Sequence, residues 1–297
     1  MAADTPSVGE AYERARQFTK ERSSSFYYPF AVLPGEKRNA IYAAYSFAGT
    51  VDDAVDEAGS EAERAARLDE ARELLDQAYA GKGDSWIGVG LGDAVRRFAI
   101  PREHFDELVM GMEQDLRQSR YGTWEELEQY CYRAASVIGL ITVEVFGYDR
   151  AQPDLVREAA IDMGKALQVT NIMRDVEEDA ERDRIYLAQE DLVSHGVSED
   201  AIKAGEMSES MRRLMTTYSQ RARVLYASGE RLIPLLDGPR SRMCCNGLNG
   251  GYKMILDQIE GRDYDVFGER VRPSKPEAFA MLLRLWLSGA WPLVQWR

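Results

Sequence analysis

Apolar residues recur along this chain at the three- and four-residue spacing that places side chains on one face of an α-helix. Between residues 34 and 57 the apolar positions are separated by three, four or seven residues, namely Ile41, Tyr45, Ala48 and Val55. No segment shows the two-residue alternation that is typical of a strand. The pattern therefore predicts an all-α fold.

The same periodicity, together with helix-start signals, divides the chain into a series of predicted helices. Pro101 and Pro153 each begin one of them, because proline is well tolerated at the first helical position. The glycine-rich stretch GKGDSWIGVG, residues 81–90, is predicted to be a loop. The predicted helices cover 34–57, 61–80, 101–116, 123–147, 153–180, 187–193, 208–235, 240–260 and 275–290.

Length and composition favour a single domain. The chain contains no internal repeat, low-complexity tract or linker rich in proline and serine, so we expect residues 1–297 to form one domain. A chain of this length buries roughly 75% of the surface that its unfolded state exposes, which allows a sizeable core. Only 10 prolines are present, and this favours long helices because an interior proline costs about 3 kcal/mol.

The charge balance narrows the choice of partners. The formal net charge is −13, from 50 acidic and 37 basic residues. An acidic chain binds polyanions poorly, so we expect no nucleic-acid partner. A phosphorylated substrate would have to be met by metal ions or by a local cluster of basic residues.

The cysteines and histidines argue against disulfide and zinc chemistry. Cys244 and Cys245 are adjacent, Cys131 stands alone, and no CxxC spacing occurs, so a reducing cytoplasm fits best. Neither His104 nor His195 lies near a cysteine or an acid pair at metal-ligand spacing. This disfavours a zinc site and a His-based catalytic triad.

The two ends of the chain bear on its location. The N-terminal segment MAADTPSVGEAYERARQF has no apolar signal sequence. Residues 278–296 are strongly apolar with one arginine, which is typical either of a last core helix or of a segment that touches a membrane surface. We expect a cytoplasmic protein, with peripheral contact at the inner membrane face as the alternative. The sequence predicts no oligomeric state.

An acid-rich segment ends the helix predicted at 34–57. Four acidic residues fall within six positions with no lysine or arginine between them, namely Asp52, Asp53, Asp56 and Glu57. On a helix Asp52 and Asp56 lie one turn apart, where like charges destabilise the helix by about 0.2–0.5 kcal/mol. The apolar residues before them turn this end of the helix towards the core. Carboxylates placed there need a cation, a shared proton or water.

A second acid-rich segment lies within the helix predicted at 153–180. Asn171, Asp175 and Asp179 recur every four residues and form a polar stripe on one face. Oxygen ligands of this kind suit Mg²⁺, which typically takes one or two carboxylates together with phosphate oxygens and water. Arg174, Arg182 and Arg184 lie nearby, and guanidinium groups bind phosphate oxygens well. Either segment alone is also typical of a solvated helix face, but together they favour a diphosphate site.

Several segments of the chain resemble the squalene/phytoene synthase family. They are SSSFYYPFAVLP (23–34), DDAVDE (52–57), YCYRAASVIGL (130–140), ALQVTNIMRDVEEDAERDRIYL (166–187) and GYKMILDQIEGRDYDVFGERV (251–271). The resemblance extends over about residues 18–275. It implies a single-domain isoprenoid synthase fold, with helices around a central cavity. It also implies the head-to-head (1′-1) condensation of two prenyl diphosphates.

The resemblance assigns a role to individual residues by position. Magnesium, or manganese in its place, would be bound by Asp52 and Asp56 on one wall and by Asn171, Asp175 and Asp179 on the other. Diphosphate would be held by Arg174 and Arg184. The tyrosines that line the cavity or contact the diphosphate would be Tyr45, Tyr130, Tyr186 and Tyr264. The prenyl tunnels would be lined by Phe26, Phe30, Ala134, Ile138, Gly139, Leu167 and Gln168.

One position departs from the family pattern. Members usually carry arginine three residues before the first aspartate motif, where this chain has Gly49. The departure affects either a diphosphate contact or the usual partition between the two substrate sites. The sequence leaves open whether another arginine or lysine takes over this role.

The residue types suit the reaction that the resemblance implies. Magnesium and arginines neutralise the charge that develops on a departing diphosphate. An apolar cavity keeps water from the allylic carbocation, and aromatic ring faces stabilise its positive charge. A cyclopropylcarbinyl diphosphate intermediate would form, ionise again and rearrange. Tyr130 is expected to assist the final proton loss or to stabilise the cation.

The resemblance leaves the substrate and the product open. The tail DYDVFGERVRPSK looks more like the carotenoid branch, which favours a phytoene-type product from C20 substrates. The segment SSSFYY also suits makers of squalene, dehydrosqualene or presqualene diphosphate from C15 farnesyl diphosphate, on the hopanoid or sterol route. NADPH would be required only if squalene is the product.

Three other functions remain open at this point. A head-to-tail elongator normally shows DDxxD twice, whereas DDAVD fits that spacing and NIMRDVEED does not. A terpene cyclase of similar fold is the second. The third is a non-catalytic helical scaffold whose acidic segments are solvated.

Overall fold

The computed structural model describes residues 5–272, apart from the side chains of residues 24 and 25. Over this range the chain is helical and forms no strand, which confirms the predicted all-α class. The first helices are α1 (Val8–Arg22), α2 (Ser24–Ala31), α3 (Gly35–Asp56), α4 (Glu61–Tyr79), α5 (Trp86–Phe98), α6 (Arg102–Arg117), α7 (Trp124–Cys131) and α8 (Val137–Phe146). They are followed by α9 (Pro153–Arg174), α10 (Val176–Glu181), α11 (Gln189–His195), α12 (Glu199–Lys203), α13 (Glu209–Gly229) and α14 (Pro239–Gly261).

Local sequence explains where many of these helices begin. Ser7 and Ser60 cap α1 and α4 through capping boxes, in which the serine side chain accepts from the third helical N–H and a glutamate accepts from the serine N–H. Pro153 occupies the first position of α9. The predicted bounds of α3, α4, α6 and α14 agree with the structure to within about two residues. The helix predicted at 275–290 lies outside the described residues.

The loop predicted at 81–90 is wrong over its second half, because α5 begins at Trp86. The Ser85 side chain caps this helix by accepting from the backbone N–H of Gly88. Glycine disfavours an isolated helix, but here it permits close packing. A Cβ atom on Gly92 would lie 2.9 Å from the carbonyl oxygen of Ala78 on α4. Tertiary packing therefore overrides the local preference for a turn.

Two predicted helices are each interrupted by an irregular turn. The segment predicted at 123–147 contains a π-helical turn, Tyr132–Ser136, between α7 and α8. The segment predicted at 153–180 breaks at Asp175, whose φ of −103° and ψ of 15° separate α9 from α10. Such irregular turns occur often at functional sites. Both of these lie beside the cavity described below.

Helix α9 is the central element of the bundle. It packs against α8, α13, α14 and the π-helical turn. The packing is close where glycine lies at the contact. A Cβ atom on Gly164 would lie 2.7 Å from the backbone nitrogen of Ser136 in the π-helical turn, and one on Gly229 would lie 2.8 Å from Cα of Met163. Close backbone approach therefore holds α9 in place.

Two hydrophobic clusters form the core, and each contains residues of α9. The first cluster is built mainly from α3 to α6, α8 and the first half of α9, and the second from the end of α9 together with α13 and α14. The partly buried side chains of Ala134 and Leu167 pack against both clusters. The two clusters therefore meet along the middle of α9.

None of the helices within residues 5–272 combines the length and apolar character needed to cross a bilayer. The apolar C-terminal segment 278–296, for which membrane contact was considered, lies outside the described residues.

Replacing Gly164 with alanine tests the close approach of α9 to the π-helical turn. The added methyl group collides with backbone atoms that cannot move alone, so we expect a loss of about 1–3 kcal/mol in the free energy of unfolding. Urea titration followed by circular dichroism measures it. Gly9→Ala on α1 is the matched control, since its Cβ has nothing within 4 Å. Equal stability of the Gly164→Ala variant and the unmodified protein would contradict this packing.

Candidate active site

A cavity of about 390 Å³ opens where the C-terminal ends of α3, α6 and α9 meet α10. Both acid-rich segments contribute to its walls, as the sequence predicts. Carboxylate, amide and guanidinium groups make up most of its lining. The lining residues are Asp52, Val55, Asp56, Met112, Asp115, Tyr130, Ala134, Gln168, Asn171, Ile172, Arg174, Asp175, Asp179, Arg182, Arg184, Tyr186 and Arg270.

The first wall is the last turn of α3. Asp52 and Asp56 line the cavity, and their side chains keep 51% and 44% of their exposure. The guanidinium of Arg22 on α1 binds Asp52 and Asp53, with one nitrogen 2.5 Å from each carboxylate. Asp56 faces the opposite wall, where Arg184 Nη1 lies 3.4 Å from its Oδ1.

The second wall is formed by the end of α9 and by α10. Asn171 lies in the last turn of α9, Asp175 ends that helix, and Asp179 lies in α10. The four-residue spacing survives the break, because the N–H of Asp175 donates to the Asn171 carbonyl and the N–H of Asp179 donates to the Asp175 carbonyl, each over 2.9 Å. All three side chains therefore reach the same cavity.

Arginines neutralise both walls. Arg174 pairs with its neighbour Asp175. Arg270, from the segment after α14, lies 2.8 Å from Oδ1 of Asp175, which also accepts from Arg174, and 3.2 Å from Glu178. Since the Asp175 side chain is only 15% exposed, its charge depends on these partners.

Two carboxyl groups in the cavity have strongly shifted acidity. Burial, followed by the neighbouring charge of Asp175, raises the pKa of Asp179 to about 7. Burial, with a smaller contribution from the charge of Asp56, raises the pKa of Asp115 to a similar value of about 7, against the opposing effect of Arg184. Low-dielectric surroundings disfavour a charged carboxylate unless a cation approaches it. The cavity therefore favours cationic ligands.

The donor set fits a hard divalent cation. In residues 5–272, no group of three or more His, Cys, Asp and Glu side chains is close enough to hold a metal ion by itself. The cavity instead offers separate carboxylates on two walls and the buried Oδ1 of Asn171, which has no hydrogen-bond partner. Magnesium commonly binds through one or two carboxylates and completes its shell with substrate phosphate oxygens and water. These residues fit an ion that arrives with a diphosphate.

The far end of the cavity is a stack of tyrosines around Asp115. The hydroxyl groups of Tyr130 and Tyr186 donate to its two carboxylate oxygens over 3.1 Å and 3.4 Å. The two rings stack with centroids 4.9 Å apart, and Tyr121 lies 5.3 Å from Tyr130. Both Tyr130 and Tyr186 are buried. Their hydroxyl groups are thus fixed at the cavity.

Sequence reasoning did not identify Asp115 or Arg270 as part of the site. A signal for Asp115 was present, because it follows Leu108 and Met112 at helical spacing and so continues the buried stripe of α6. A carboxylate at the end of an apolar stripe indicates either a site or a buried ion pair. Arg270 had no comparable signal, since it follows the last described helix and reaches Asp175 only through the fold.

Of the seven residues predicted to line the prenyl tunnels, Ala134 and Gln168 line the cavity and the other five do not. Ile138 packs against the first cluster and Leu167 against both clusters. A Cβ atom on Gly139 would lie 3.2 Å from the carbonyl oxygen of Ala160. The ring of Phe26 lies 5.9 Å from Phe30, 5.4 Å from Tyr45 and 6.3 Å from Tyr252.

Tyr264 was predicted to line the cavity or to contact the diphosphate, but the structure places it outside the cavity lining. It follows α14 with a φ of 62° and packs against the second cluster. The other tyrosine outside that lining, Tyr45, lies in the aromatic group with Phe26 and Phe30.

Comparison with known proteins supports the family that the motifs indicated. The family model for squalene/phytoene synthases matches residues 19–277. The chain is 37% identical over 290 residues to the 15-cis-phytoene synthase of Synechocystis sp., covering 95% of this chain and 86% of that protein. It is 34% identical over 278 residues to the chloroplastic phytoene synthase 1 of Arabidopsis thaliana, covering 93% of this chain and 66% of that protein.

A solved structure shares the same fold. A dehydrosqualene synthase crystallised with a ligand superposes with a TM-score of 0.86 at 25% sequence identity, covering 94% of this chain and 96% of that one. The all-α isoprenoid synthase fold is thereby confirmed. The family model and these similarities extend over most of the described residues, including both walls of the cavity. The chain belongs to the squalene/phytoene synthase family of prenyltransferases.

Proposed function

We propose that this chain joins two C20 prenyl diphosphates head to head, as a phytoene synthase-like enzyme of carotenoid biosynthesis. The observation that carries the proposal is the cavity with two opposed walls of carboxylates, bordered by arginines and by buried tyrosines. Relatives that are named phytoene synthases, at 34% and 37% identity, support the C20 assignment. The geometry also disfavours a scaffold with solvated acidic faces, because Asp52 and Asp175 face one cavity.

Magnesium would be held by Asp52 and Asp56 on the first wall and by Asn171, Asp175 and Asp179 on the second. When bound, the ions would neutralise negative charge on the diphosphate as it departs. Mn²⁺ could take the same oxygen ligands. The unpartnered Oδ1 of Asn171 and the raised pKa of Asp179 support this assignment, since both groups lack a cation.

The arginines of the cavity would bind the diphosphate directly. Arg184 and Arg182 both point at Asp56 across the cavity, with nitrogen–oxygen distances of 3.4 Å and 3.9 Å. These long contacts leave their guanidinium groups free to turn towards phosphate oxygens. Arg174 lies on the opposite side, beside Asp175. A diphosphate between the walls would thus meet guanidinium groups from both sides.

The tyrosine stack would serve the carbocation steps. Tyr130 and Tyr186 present ring faces and fixed hydroxyl groups to the cavity, and a ring face stabilises a nearby cation. The hydroxyl of Tyr130 donates to Asp115, so its oxygen lone pairs can face the cavity. We assign Tyr130 to the final proton loss or to stabilisation of the cation that precedes it.

The alternative is a C15 enzyme that makes squalene, dehydrosqualene or presqualene diphosphate. The structural similarity to a dehydrosqualene synthase supports it. NADPH would be needed only for squalene. The polar cavity does not separate the two alternatives, because both substrates carry the same diphosphate.

Product analysis tests the substrate assignment. The purified chain is incubated with Mg²⁺ and either geranylgeranyl or farnesyl diphosphate, each with and without NADPH. We expect a C40 phytoene-type hydrocarbon from the C20 substrate, independent of NADPH. A C30 product from the C15 substrate alone would favour the alternative. Longer linear diphosphates or cyclic terpenes would contradict head-to-head chemistry altogether.

Replacing Asp175 with asparagine tests the second wall. The change keeps the shape but removes the charge that Arg174 and Arg270 hold in place. We expect kcat/KM to fall by about 100-fold or more, equivalent to about 2.7 kcal/mol. Asp69→Asn on α4 is the matched control, since this side chain is 73% exposed and pairs only locally with Arg72. Similar activity of the two variants would contradict the assignment.

Replacing Tyr130 with phenylalanine tests the tyrosine stack. The ring remains, but the hydroxyl that donates to Asp115 is lost. We expect turnover to fall by about 100-fold, the contribution typical of a positioned proton acceptor, with accumulation of the cyclopropylcarbinyl intermediate. Tyr121→Phe is the control, because the buried hydroxyl of Tyr121 has no hydrogen-bond partner. Equal effects of the two variants on the product ratio would show that only packing matters.

A further inference from the structure

Gly49 lies on α3 one turn before Asp52, and side chains from α1 fill the space beside it. A Cβ atom at this position would lie 2.7 Å from Cε1 of Phe18, 2.8 Å from its Cζ and 3.2 Å from Nε of Arg22. The φ of Gly49 is not positive, so the backbone itself does not require glycine. The two α1 side chains therefore occupy the space that a side chain at position 49 would fill.

Arg22 uses this space to reach the first wall. Its Nη2 lies 2.5 Å from Asp52 Oδ2 and its Nη1 lies 2.5 Å from Asp53 Oδ1. Its guanidinium carbon lies 5.8 Å from the ring centroid of Phe18, which itself packs 6.0 Å from Trp86. The side chain is 28% exposed. Two carboxylates and an aromatic ring therefore fix the guanidinium group.

The first wall depends on this contact, because α3 supplies no cation of its own near its end. Its basic residues, Lys37 and Arg38, lie in the first turn, and none follows before Glu57. Across the described part of the chain, the ion pairs of Asp52 and Asp53 are both with Arg22. Asp56 has separate partners in Arg182 and Arg184. Loss of Arg22 would leave Asp52 beside Asp53 and Asp56 without compensation.

We propose that Arg22, placed over Gly49, is the positioning residue of the first wall and supplies the positive charge beside Asp52 that α3 itself lacks. It acts through Asp52, which it orients for binding of a metal-bound diphosphate. This inference rests on the proposed diphosphate site, but not on the length of the prenyl chain. The positive charge beside Asp52 thus comes from α1 and not from α3, and the absence of a side chain at Gly49 leaves space for it.

Binding of inorganic pyrophosphate tests the inference without requiring turnover. Isothermal titration calorimetry in excess Mg²⁺ compares the unmodified chain with Arg22→Ala, Arg22→Lys and the control Arg16→Ala. Arg16 also lies on α1 but pairs with Glu13 at 2.6 Å, away from the cavity. We expect Arg22→Ala to raise the Kd for pyrophosphate about tenfold. Arg22→Lys should have a smaller effect and Arg16→Ala none.

The Gly49→Ala variant provides a second, independent test. Its methyl group would displace Phe18 and Arg22, so we expect weaker pyrophosphate binding than in the unmodified chain. If Gly49 acts through Arg22, the two changes combined should weaken binding no more than Arg22→Ala alone. Fully additive effects would overturn the coupling between the two positions.

The outcomes separate this inference from the proposed function. Binding by Arg22→Ala that equals that of the unmodified chain overturns the role of Arg22 alone. Failure of the unmodified chain to bind Mg²⁺ and pyrophosphate overturns both. If Arg22→Ala lacks a cooperative unfolding transition and so does not fold, pyrophosphate binding by Arg22→Lys and by Gly49→Ala is compared with that of the unmodified chain. Weaker binding by both variants supports the inference. Unchanged binding by either variant overturns it.

Discussion

Repulsion between carboxylates that face one cavity is the constraint on which this structure depends. Asp52, Asp56, Asp115, Asp175 and Asp179 all line the same cavity, and burial raises the pKa of both Asp115 and Asp179 to about 7. Such a group is stable only when cations reach it. In the free protein arginines provide them, and they come from α1, the end of α9, the segment after α10 and the segment after α14. Substrate binding would exchange part of these pairs for metal ions and diphosphate. The cost of separating charges would then be limited at Asp52, Asp56 and Asp175, because each of these carboxylates already has an arginine partner that a metal ion would replace.

The π-helical turn and the break at Asp175 both lie where side chains of the cavity are positioned. The backbone of Asp175 leaves helical geometry between α9 and α10, yet Asn171, Asp175 and Asp179 keep their four-residue hydrogen-bonded spacing. On the opposite side the π-helical turn follows Tyr130, and its Ser136 end packs against Gly164. Close backbone contact thus fixes α9 relative to the tyrosine stack. The second wall begins at the end of α9, and the π-helical turn that follows Tyr130 packs against the same helix, which favours a preorganised site.

Most helices and both walls of the cavity could be predicted from the sequence. The features that could not be predicted all depend on contacts between distant parts of the chain. The apolar period identifies α3, α4, α6 and α9, and the polar stripes at the end of α3 and across α9 and α10 identify both walls, because these features repeat between successive turns of the chain. Helix α5 was missed because its glycines serve contacts with other helices, such as that of Gly92 with Ala78. The roles of Arg22 and Arg270 were not predictable, since each reaches its carboxylate from a distant part of the chain. Hydrophobic periodicity predicts which face of a helix is buried, but it does not predict which other element packs against that face.

The position of the cavity also indicates where an apolar chain could lie. The cavity lining is dominated by charged and polar groups, so it suits the diphosphate rather than the hydrocarbon. Ala134, at its edge, and Leu167, beside Gln168, are the side chains that pack against both hydrophobic clusters. A prenyl chain entering between the clusters would therefore pass these two residues first and meet Ile138 beyond them. A prenyl chain that extends between the two clusters would lie away from the carboxylates, while its diphosphate would remain between the walls. If the chain joins prenyl diphosphates as proposed, the packing of the two clusters, and not the polar site, would set the length of hydrocarbon that fits.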